Sequence, residues 1–264
     1  MLGVGYGLGD RLLSSTVPAR LSELGYEVWF SCPRPDVVPP NKCNPEAEDL
    51  VRSIPGLAGL TEESPIAPTT PWPRASKPMP WTLSCVHITE LSFFGETVSN
   101  GLPSIGYVPK DLPQWSGSIV ADLTGYKHYT DPVYHDYLDW MAEVHGISRT
   151  DIVALVPRYP GMHGSWMEYL ARNPAYQVSS IYEYLDILHS AKARIVTDSG
   201  SQHLCAAIAA PAHVLIDNYS YYSTSLVHGT LHRYWPSGCP TRDVQGALAQ
   251  GLVRVRPMVY WQHE

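Results

Sequence analysis

The pattern of apolar and polar residues is clearest at residues 193–216, where a strand, a turn, a helix and a second strand follow one another. Residues 194–196 include β-branched side chains that favour a strand, and residues 204–210 are mostly small, with high helix propensity. Between them stand Asp198, Ser199 and Gly200, residue types typical of a turn before a helix. The run Ala212–Ile216 predicts the second strand. A strand, helix and strand in this order predict a βαβ unit, whose ligand site lies beyond the carboxyl end of the first strand.

The turn at Asp198–Gly200 has the chemistry of an anion site. The first backbone N–H groups of a helix have no intrahelical partner and lie at the positive end of the helix dipole, so a phosphate there gains several hydrogen bonds. Gly200 would let such a ligand approach the backbone. Ser199 or Asp198 acting only as a helix cap is the alternative, because such caps are common.

Similar patterns elsewhere in the chain predict further α/β structure. Apolar residues at helical spacing from Leu12 to Leu24 predict a helix that Gly25 ends. Other predicted helices lie near residues 45–54, at 131–146 and at 166–172; predicted strands lie at 1–4, 26–31, 81–88, 104–108 and 151–157. Half of the 24 prolines fall within residues 33–80, which predicts a long loop around the helix near residue 45. The predicted fold class is therefore α/β.

Composition narrows the class of protein. A chain of 264 residues with 44% hydrophobic content can build one large or two ordinary domains. The formal net charge of −7 opposes a broad nucleic-acid surface. The five cysteines are odd in number and form no C-x-x-C pair, so neither a disulfide framework nor a zinc site is indicated. The sequence has no apolar run long enough for a membrane span, and we expect a soluble cytoplasmic protein.

A glycine-rich segment near the start could suggest a dinucleotide site. The order Gly5-x-Gly7-x-x-Asp10, however, places Asp10 where the third glycine of that fingerprint belongs. The acidic residue expected at the end of the second strand is also missing. Binding of NAD is therefore not predicted.

Two segments resemble the motifs of one glycosyltransferase family. Residues 198–207, DSGSQHLCAA, with the preceding helix pattern at 184–191, are similar to the "D-S/T-G-x-x-H-L-A-A-A" motif of the family-nine, heptosyltransferase-like glycosyltransferases. Residues 7–19, GLGDRLLSSTVPA, are similar to that family's N-terminal "G-x-G-D-x-L-x-x-T-P" motif. Both motifs occur in the family's order, which makes the resemblance stronger than either alone.

The resemblance implies a GT-B fold, in which two Rossmann-like domains face a cleft. Residues 1–148 would form the acceptor domain and residues 149–264 the nucleotide-sugar domain. It implies transfer of a sugar from a nucleotide-diphosphate sugar to an acceptor hydroxyl, with inversion and without a metal ion or another cofactor. Asp10 would be the catalytic base. The residues implied to bind the donor are Gly7, Gly9, Arg158, Asp198, Ser199, Gly200, Ser201 and His203, with Arg158 as the basic residue that follows the first strand of the second domain.

Three other functions remain open. The acceptor could be a modified, hydroxymethylated DNA base, as in some viruses, rather than a glycan or small molecule; the acidic balance opposes this. A sugar-nucleotide epimerase would need further acid and base groups. A noncatalytic nucleotide-sugar binding module is the third, and it fits a chain that is short for the family.

Overall fold

A computed structural model describes residues 8–31, 45–61, 84–123, 131–156, 173–197, 199–216, 228 and 231–236 of the chain. The chain divides into two compact units. The described part of unit 1 lies between Leu8 and Tyr107, with His228, and that of unit 2 lies between Val108 and Ile216, with residues 231–236. None of the helices in these ranges is both long and apolar enough to cross a bilayer.

Unit 1 contains helices around a pair of parallel strands. Its elements are α1 (Leu8–Leu13), α2 (Val17–Glu23), β1 (Val28–Ser31), α3 (Pro45–Arg52), β2 (Leu57–Thr61) and α4 (Cys85–Phe94). Strand β1 pairs with β2 in parallel. Val28 and Phe30 of β1 pack with Val51 and Ile54 in a buried cluster, so this apolar face of the pair is what holds α3 in place.

The first predicted helix is two helices in the structure. A turn at residues 14–16 separates α1 from α2, and Gly25 follows α2 with φ +88°, as the pattern predicts for a helix end. The predicted strand at 26–31 and the short helix near residue 45 are confirmed as β1 and α3. Strand β2 lies in the stretch that the prolines had predicted to be loop.

Two strand predictions in unit 1 are wrong. Within the predicted strand at 81–88, residues from Cys85 onward form α4, because the Ser84 side chain accepts a hydrogen bond from the His87 amide and starts a helix there. Residues 104–108 form no strand either. Their amides are used by side chains instead: Ser104 donates to Ser15 Oγ at 2.6 Å and Gly106 to Ser53 Oγ at 3.2 Å.

Unit 2 is built on a parallel sheet. Its elements are β3 (Ile119–Asp122), α5 (Asp131–His145), β4 (Ile152–Val156), β5 (Ala175–Gln177), α6 (Ile181–Ser190), β6 (Ala193–Thr197), α7 (Gly200–Ala207), β7 (His213–Ile216) and β8 (Arg233–Pro236). The strand order is β5-β4-β3-β6-β7-β8, and each adjacent pair is parallel. The core includes Leu138 and Met141 of α5 packed with the buried face of β3, β4 and β6.

The predicted βαβ unit is confirmed as β6, α7 and β7, and the predicted helix at 131–146 and strand at 151–157 are found as α5 and β4. The sequence pattern did not indicate β3, β5 or β8. Strand β3 pairs with both β4 and β6, so residues 119–122 belong to unit 2 although they precede the proposed domain boundary at 148–149. That proposed boundary falls between α5 and β4, within unit 2.

Candidate active site

The centre of the unit 2 sheet is a topological switch point. From β3 the chain proceeds to β4 and β5 on one side, and from β6 it proceeds to β7 and β8 on the other. Strands β3 and β6 are neighbours, with Asp122 opposite Val196 at their carboxyl ends. In open parallel sheets, ligands bind outside the carboxyl ends of the two strands at such a point. The predicted anion-binding turn follows β6 directly and therefore lies at this position.

Ser199 caps the helix that begins at this turn. Its backbone is extended (φ −151°, ψ −171°), and its Oγ accepts a hydrogen bond from the Ser201 amide at 3.3 Å. Its carbonyl accepts one from the Gln202 amide at 3.2 Å, and Thr197 Oγ1 donates to Ser199 Oγ at 3.2 Å. The capping role considered for Ser199 is thus confirmed, and it fixes the direction in which the first turn of α7 points.

Ser201 is tied to the sheet through Asp122. The Ser201 hydroxyl donates to Asp122 Oδ2 at 2.5 Å, and Tyr184 of α6 donates its hydroxyl to the same oxygen at 2.6 Å. Asp122 is 4% exposed. Burial, with the Asp122 charge as a second cause, raises the pKa of Tyr184 well above its usual value, so its hydroxyl stays protonated as the donor.

Further along α7, Gln202 and His203 are buried. The Gln202 carbonyl lies 2.9 Å from His232 Nε2, while His232 Nδ1 accepts from the Ala212 amide at 3.2 Å. Because Nδ1 is the acceptor, Nε2 carries the proton and donates to Gln202. Burial, with a smaller contribution from the nearby His203, lowers the pKa of His232 to about 4, although the bond to Gln202 acts in the opposite direction; His232 is therefore neutral at pH 7. A neutral ring in this place holds the first turn of α7 from a second side.

Cys205 lies on α7 and is part of the buried core. It is fully buried, and burial raises the pKa of its thiol to about 12. A thiol this weakly acidic forms almost no thiolate at pH 7 and is not a nucleophile.

In unit 1, the predicted base lies inside a helix. Asp10 is the third residue of α1 and is therefore not a cap of this helix; its side chain is outside the described residues. Gly9 also lies in α1. The buried Arg11 donates through Nη1 to Glu48 Oε1 at 3.1 Å and through Nη2 to the Ser31 carbonyl at 3.3 Å. Arg11 therefore ties α1 to α3 and to the carboxyl end of β1.

The structure brings together some of the predicted donor residues. Ser199, Gly200, Ser201 and His203 share the start of α7, with the Ser201 and His203 side chains buried and the Ser201 hydroxyl directed to Asp122. The predicted residues Gly7, Arg158 and Asp198 lie outside the described residues. Asp122, Tyr184 and Arg11 were not predicted as site residues. A carboxylate that ends an apolar run was the only signal that could have indicated Asp122.

In the described part of the chain, no three His, Cys, Asp or Glu side chains are grouped to hold a metal ion. Metal independence stays a prediction.

Comparison with solved structures shows which fold this arrangement belongs to. The dodecameric, iron-containing heptosyltransferase TibC, solved in complex with ADP-D-beta-D-heptose, matches 90% of this chain with a TM-score of 0.53 and 11% identity. This chain spans 63% of the TibC chain. The E. coli heptosyltransferase WaaC with ADP aligns at a TM-score of 0.43 and 14% identity, over 92% of this chain and 70% of its own.

A family 9 glycosyltransferase from Veillonella parvula DSM 2008 aligns at a TM-score of 0.42 and 10% identity, over 94% of this chain and 72% of its own. No protein-family model and no curated protein matches the sequence. The resemblance read from the two motifs is thus confirmed in the fold: the chain has the α/β, GT-B architecture of a heptosyltransferase such as TibC.

Proposed function

We propose that this protein is a glycosyltransferase that moves a sugar from a nucleotide-diphosphate sugar to an acceptor hydroxyl, with inversion and without a metal ion. The observation that carries the proposal is the position of the Ser199–Ser201 turn. This turn matches the family's diphosphate motif in sequence, and it lies at the start of α7, beyond the carboxyl end of β6 at the switch point of the sheet.

The turn would stabilise the leaving group. As the bond between sugar and phosphate breaks, charge develops on the diphosphate, and the sugar passes through an oxocarbenium-like state. The backbone amides of Ser199 and Gly200 would donate to the diphosphate at the positive end of α7, where donors fixed in place before the reaction stabilise such charge best. The Ser201 amide donates to the Ser199 cap and would contribute through the helix dipole. The cap at Ser199 and the bonds of Asp122 and His232 provide that fixed geometry. Asp198 and His203 complete the proposed donor site.

The other half of the reaction is assigned to unit 1. Asp10 would take the proton of the acceptor hydroxyl as the sugar is transferred, with Gly7 and Gly9 beside it to admit the donor. A single displacement of this kind inverts the anomeric centre. A carboxylate within α1 contributes to catalysis only if it reaches the acceptor oxygen at about 2.6–3.2 Å.

Two residues are candidates for the basic side chain that contacts the donor's phosphates. The resemblance places a lysine or arginine after the first strand of the donor unit, and Arg158 was predicted from β4. Since β3 precedes β4 in unit 2, Lys127, five residues after Asp122 in the sequence, is the second candidate. Either side chain would neutralise the donor's phosphates.

The compartment and the donor are part of the same proposal. Cys85 and Cys205 are free thiols, which fits the reducing cytoplasm. TibC was solved with an ADP-sugar, and ADP-heptose is therefore the first donor to test on this chain.

Nucleotide binding and donor turnover test this function together. The melting temperature of the protein is measured with ADP, GDP, UDP and CDP, and each matching nucleotide sugar is then followed for release of the diphosphate. We expect one diphosphate to raise the melting temperature by mass action and its sugar to be consumed when the acceptor is present. A protein that binds none of the four contradicts the proposal, and one that binds but never turns over a donor supports the noncatalytic binding module.

A further inference from the structure

The carboxylate at the end of β3 is buried and accepts hydrogen bonds from two helices. Asp122 is 4% exposed, and its Oδ2 accepts two hydroxyl hydrogen bonds of 2.5 and 2.6 Å, from α7 and from α6. Hydroxyl bonds to a carboxylate in this distance range are short and charge-assisted. Three elements that are distant in sequence are thereby fixed to one atom.

We propose that Asp122 is a positioning residue for the donor diphosphate, because it fixes the first turn of α7 in the orientation that binds phosphate. The inference rests on the proposed function and names a further residue of the same site. Asp122 acts through Ser201 and does not contact the donor itself.

The contacts of Ser201 show how this works. Its amide is held by Ser199 Oγ at 3.3 Å and its hydroxyl by Asp122 at 2.5 Å, so the second residue of α7 is fixed from the cap and from the sheet. The hydroxyl is committed to a carboxylate. With its amide and its hydroxyl both committed, Ser201 influences phosphate binding through the orientation of the adjacent Gly200 amide, and the Asp122–Ser201 bond helps to set that orientation.

The placement of charge argues against direct contact between Asp122 and the donor. A carboxylate and a diphosphate repel each other, and both are favoured at the same positive helix end. Asp122 lies at the end of β3 and is buried, with its Oδ2 occupied by Ser201 and Tyr184. Asp122 therefore affects donor binding through the orientation of the first turn of α7.

Tyr184 provides the matched control. It donates to the same carboxylate oxygen at nearly the same distance, but it lies on α6 rather than on α7. Tyr184→Phe removes one hydrogen bond from Asp122 and leaves the Ser201 bond in place. A general loss of stability around Asp122 would act in Tyr184→Phe and in Ser201→Ala alike, whereas positioning of α7 would act only in Ser201→Ala.

The test compares affinities for a nucleoside diphosphate and its monophosphate. The probe is whichever of ADP, GDP, UDP and CDP raises the melting temperature of the wild type most, and both ligands are titrated by calorimetry. The Kd of the monophosphate divided by the Kd of the diphosphate isolates the contribution of the terminal phosphate. We expect Ser201→Ala and Asp122→Asn each to lower this ratio by about tenfold, the double variant to lower it no further, and Tyr184→Phe to leave it within about twofold.

Turnover gives a second readout. In Ser201→Ala, kcat should fall by a larger factor than KM rises, because the leaving diphosphate carries more charge in the transition state than in the bound donor. Asp122→Asn keeps the side-chain volume and one acceptor oxygen. If this variant nevertheless fails to fold, the comparison of Ser201→Ala with Tyr184→Phe still separates positioning of α7 from a general loss of stability.

Three results would overturn the inference: equal losses in Ser201→Ala and Tyr184→Phe, additive losses in the double variant, or tighter diphosphate binding in Asp122→Asn. The last would mean that the Asp122 charge repels the bound diphosphate more than its bond to Ser201 helps to position α7. A wild type that binds no diphosphate would instead refute the proposed function, so the two failures are distinguishable.

Discussion

In each unit, a buried charged side chain holds the helix that carries predicted site residues, and the two charges have opposite sign. In unit 1, α1 carries the charge itself: Arg11 on this helix bonds Glu48 and the Ser31 carbonyl at 3.1 and 3.3 Å. In unit 2, the strand carries the charge, and Asp122 receives hydroxyl bonds of 2.5 and 2.6 Å. Short bonds to one carboxylate fix a position closely, while a long guanidinium side chain joins several elements more loosely.

The two sets of contacts also differ in how many of their buried polar atoms have a hydrogen-bond partner. The buried Nε of Arg11 has no hydrogen-bond partner among the described residues. In unit 2, each ring nitrogen of His232 has a partner, and Ser201 is bonded through its amide and its hydroxyl. Paired hydrogen bonds therefore hold the turn that we propose binds diphosphate, whereas α1 depends on an ion pair.

Removal of the proposed base should have the largest effect on rate. Asp10→Ala is expected to lower kcat by about 10²–10⁴-fold, the usual contribution of a general base, with diphosphate affinity unchanged. Steady-state transfer and calorimetry measure the two quantities. Asp49→Ala, an exposed carboxylate on α3 of the same unit, is the control and should keep full activity. Normal transfer by Asp10→Ala would remove the base assignment alone.

Loss of the Arg11 ion pair should have the largest effect on stability. Arg11→Met removes the buried guanidinium that bonds Glu48 and the Ser31 carbonyl, and it is expected to reduce the free energy of unfolding by about 3–5 kcal/mol. Arg20→Met breaks an exposed pair, with 40% and 65% of the two side chains accessible, and should cost at most about 1 kcal/mol. Urea unfolding measures both. Equal costs would show that burial of Arg11 contributes nothing beyond a surface pair.

Acid should weaken unit 2 through its buried histidines. Burial lowers the pKa of His213 from 6.5 to about 4, with His145 and Arg233 as further causes, and His232 is lowered to about 4. Between pH 4 and 6.5 the unfolded chain binds more protons than the folded one, so stability falls as pH falls through this window. The loss approaches about 3 kcal/mol per histidine near pH 4.

The measurement is urea unfolding at several pH values from 7.0 to 4.5. His213→Gln and His232→Gln should each reduce the slope of stability against pH by up to about 1.4 kcal/mol per pH unit. Slopes identical to that of the wild type in both variants would contradict the assignment. His232→Gln should also weaken diphosphate binding, since His232 holds the Gln202 carbonyl in the first turn of α7.

Removal of the basic residue of the proposed donor site should have the smallest effect, measured as a loss of diphosphate affinity. Loss of a hydrogen bond between a charged side chain and phosphate costs about 1.5–3 kcal/mol, or roughly 10–100-fold in Kd. Because β3 comes first in unit 2, we expect this loss in Lys127→Ala and little change in Arg158→Ala. Each variant serves as the control for the other in a diphosphate titration. The reverse order of effects would restore Arg158 as the phosphate contact.

The features that the sequence predicted correctly depend on local chemistry. The β6, α7 and β7 elements follow from a β-branched run, a Ser-Gly turn and small helix-forming residues that are contiguous in the chain. Strand β3 was missed because a run of four residues, Ile119–Asp122, is set by pairing with strands whose partner residues lie 33 and 74 positions later in the chain.

The same limit applies to the site. The pairs Arg11 with Glu48 and Asp122 with Ser201 are separated by 37 and 79 residues, and nothing in a single sequence joins them. In α4, the apolar run resembled a strand, and only the cap at Ser84 decides for a helix. Local motifs thus located the Ser199–Ser201 turn, whereas its hydrogen bond to Asp122 of the sheet became visible only in the structure.

The most direct test is a crystal structure of the protein bound to the nucleoside diphosphate that stabilises it most. We expect the terminal phosphates to lie at the start of α7, with one phosphate oxygen within about 3.2 Å of the Gly200 amide nitrogen. The Ser201 hydroxyl should still donate its hydrogen bond to Asp122. A diphosphate bound in unit 1, or at another edge of the unit 2 sheet with the start of α7 unoccupied, would contradict this expectation.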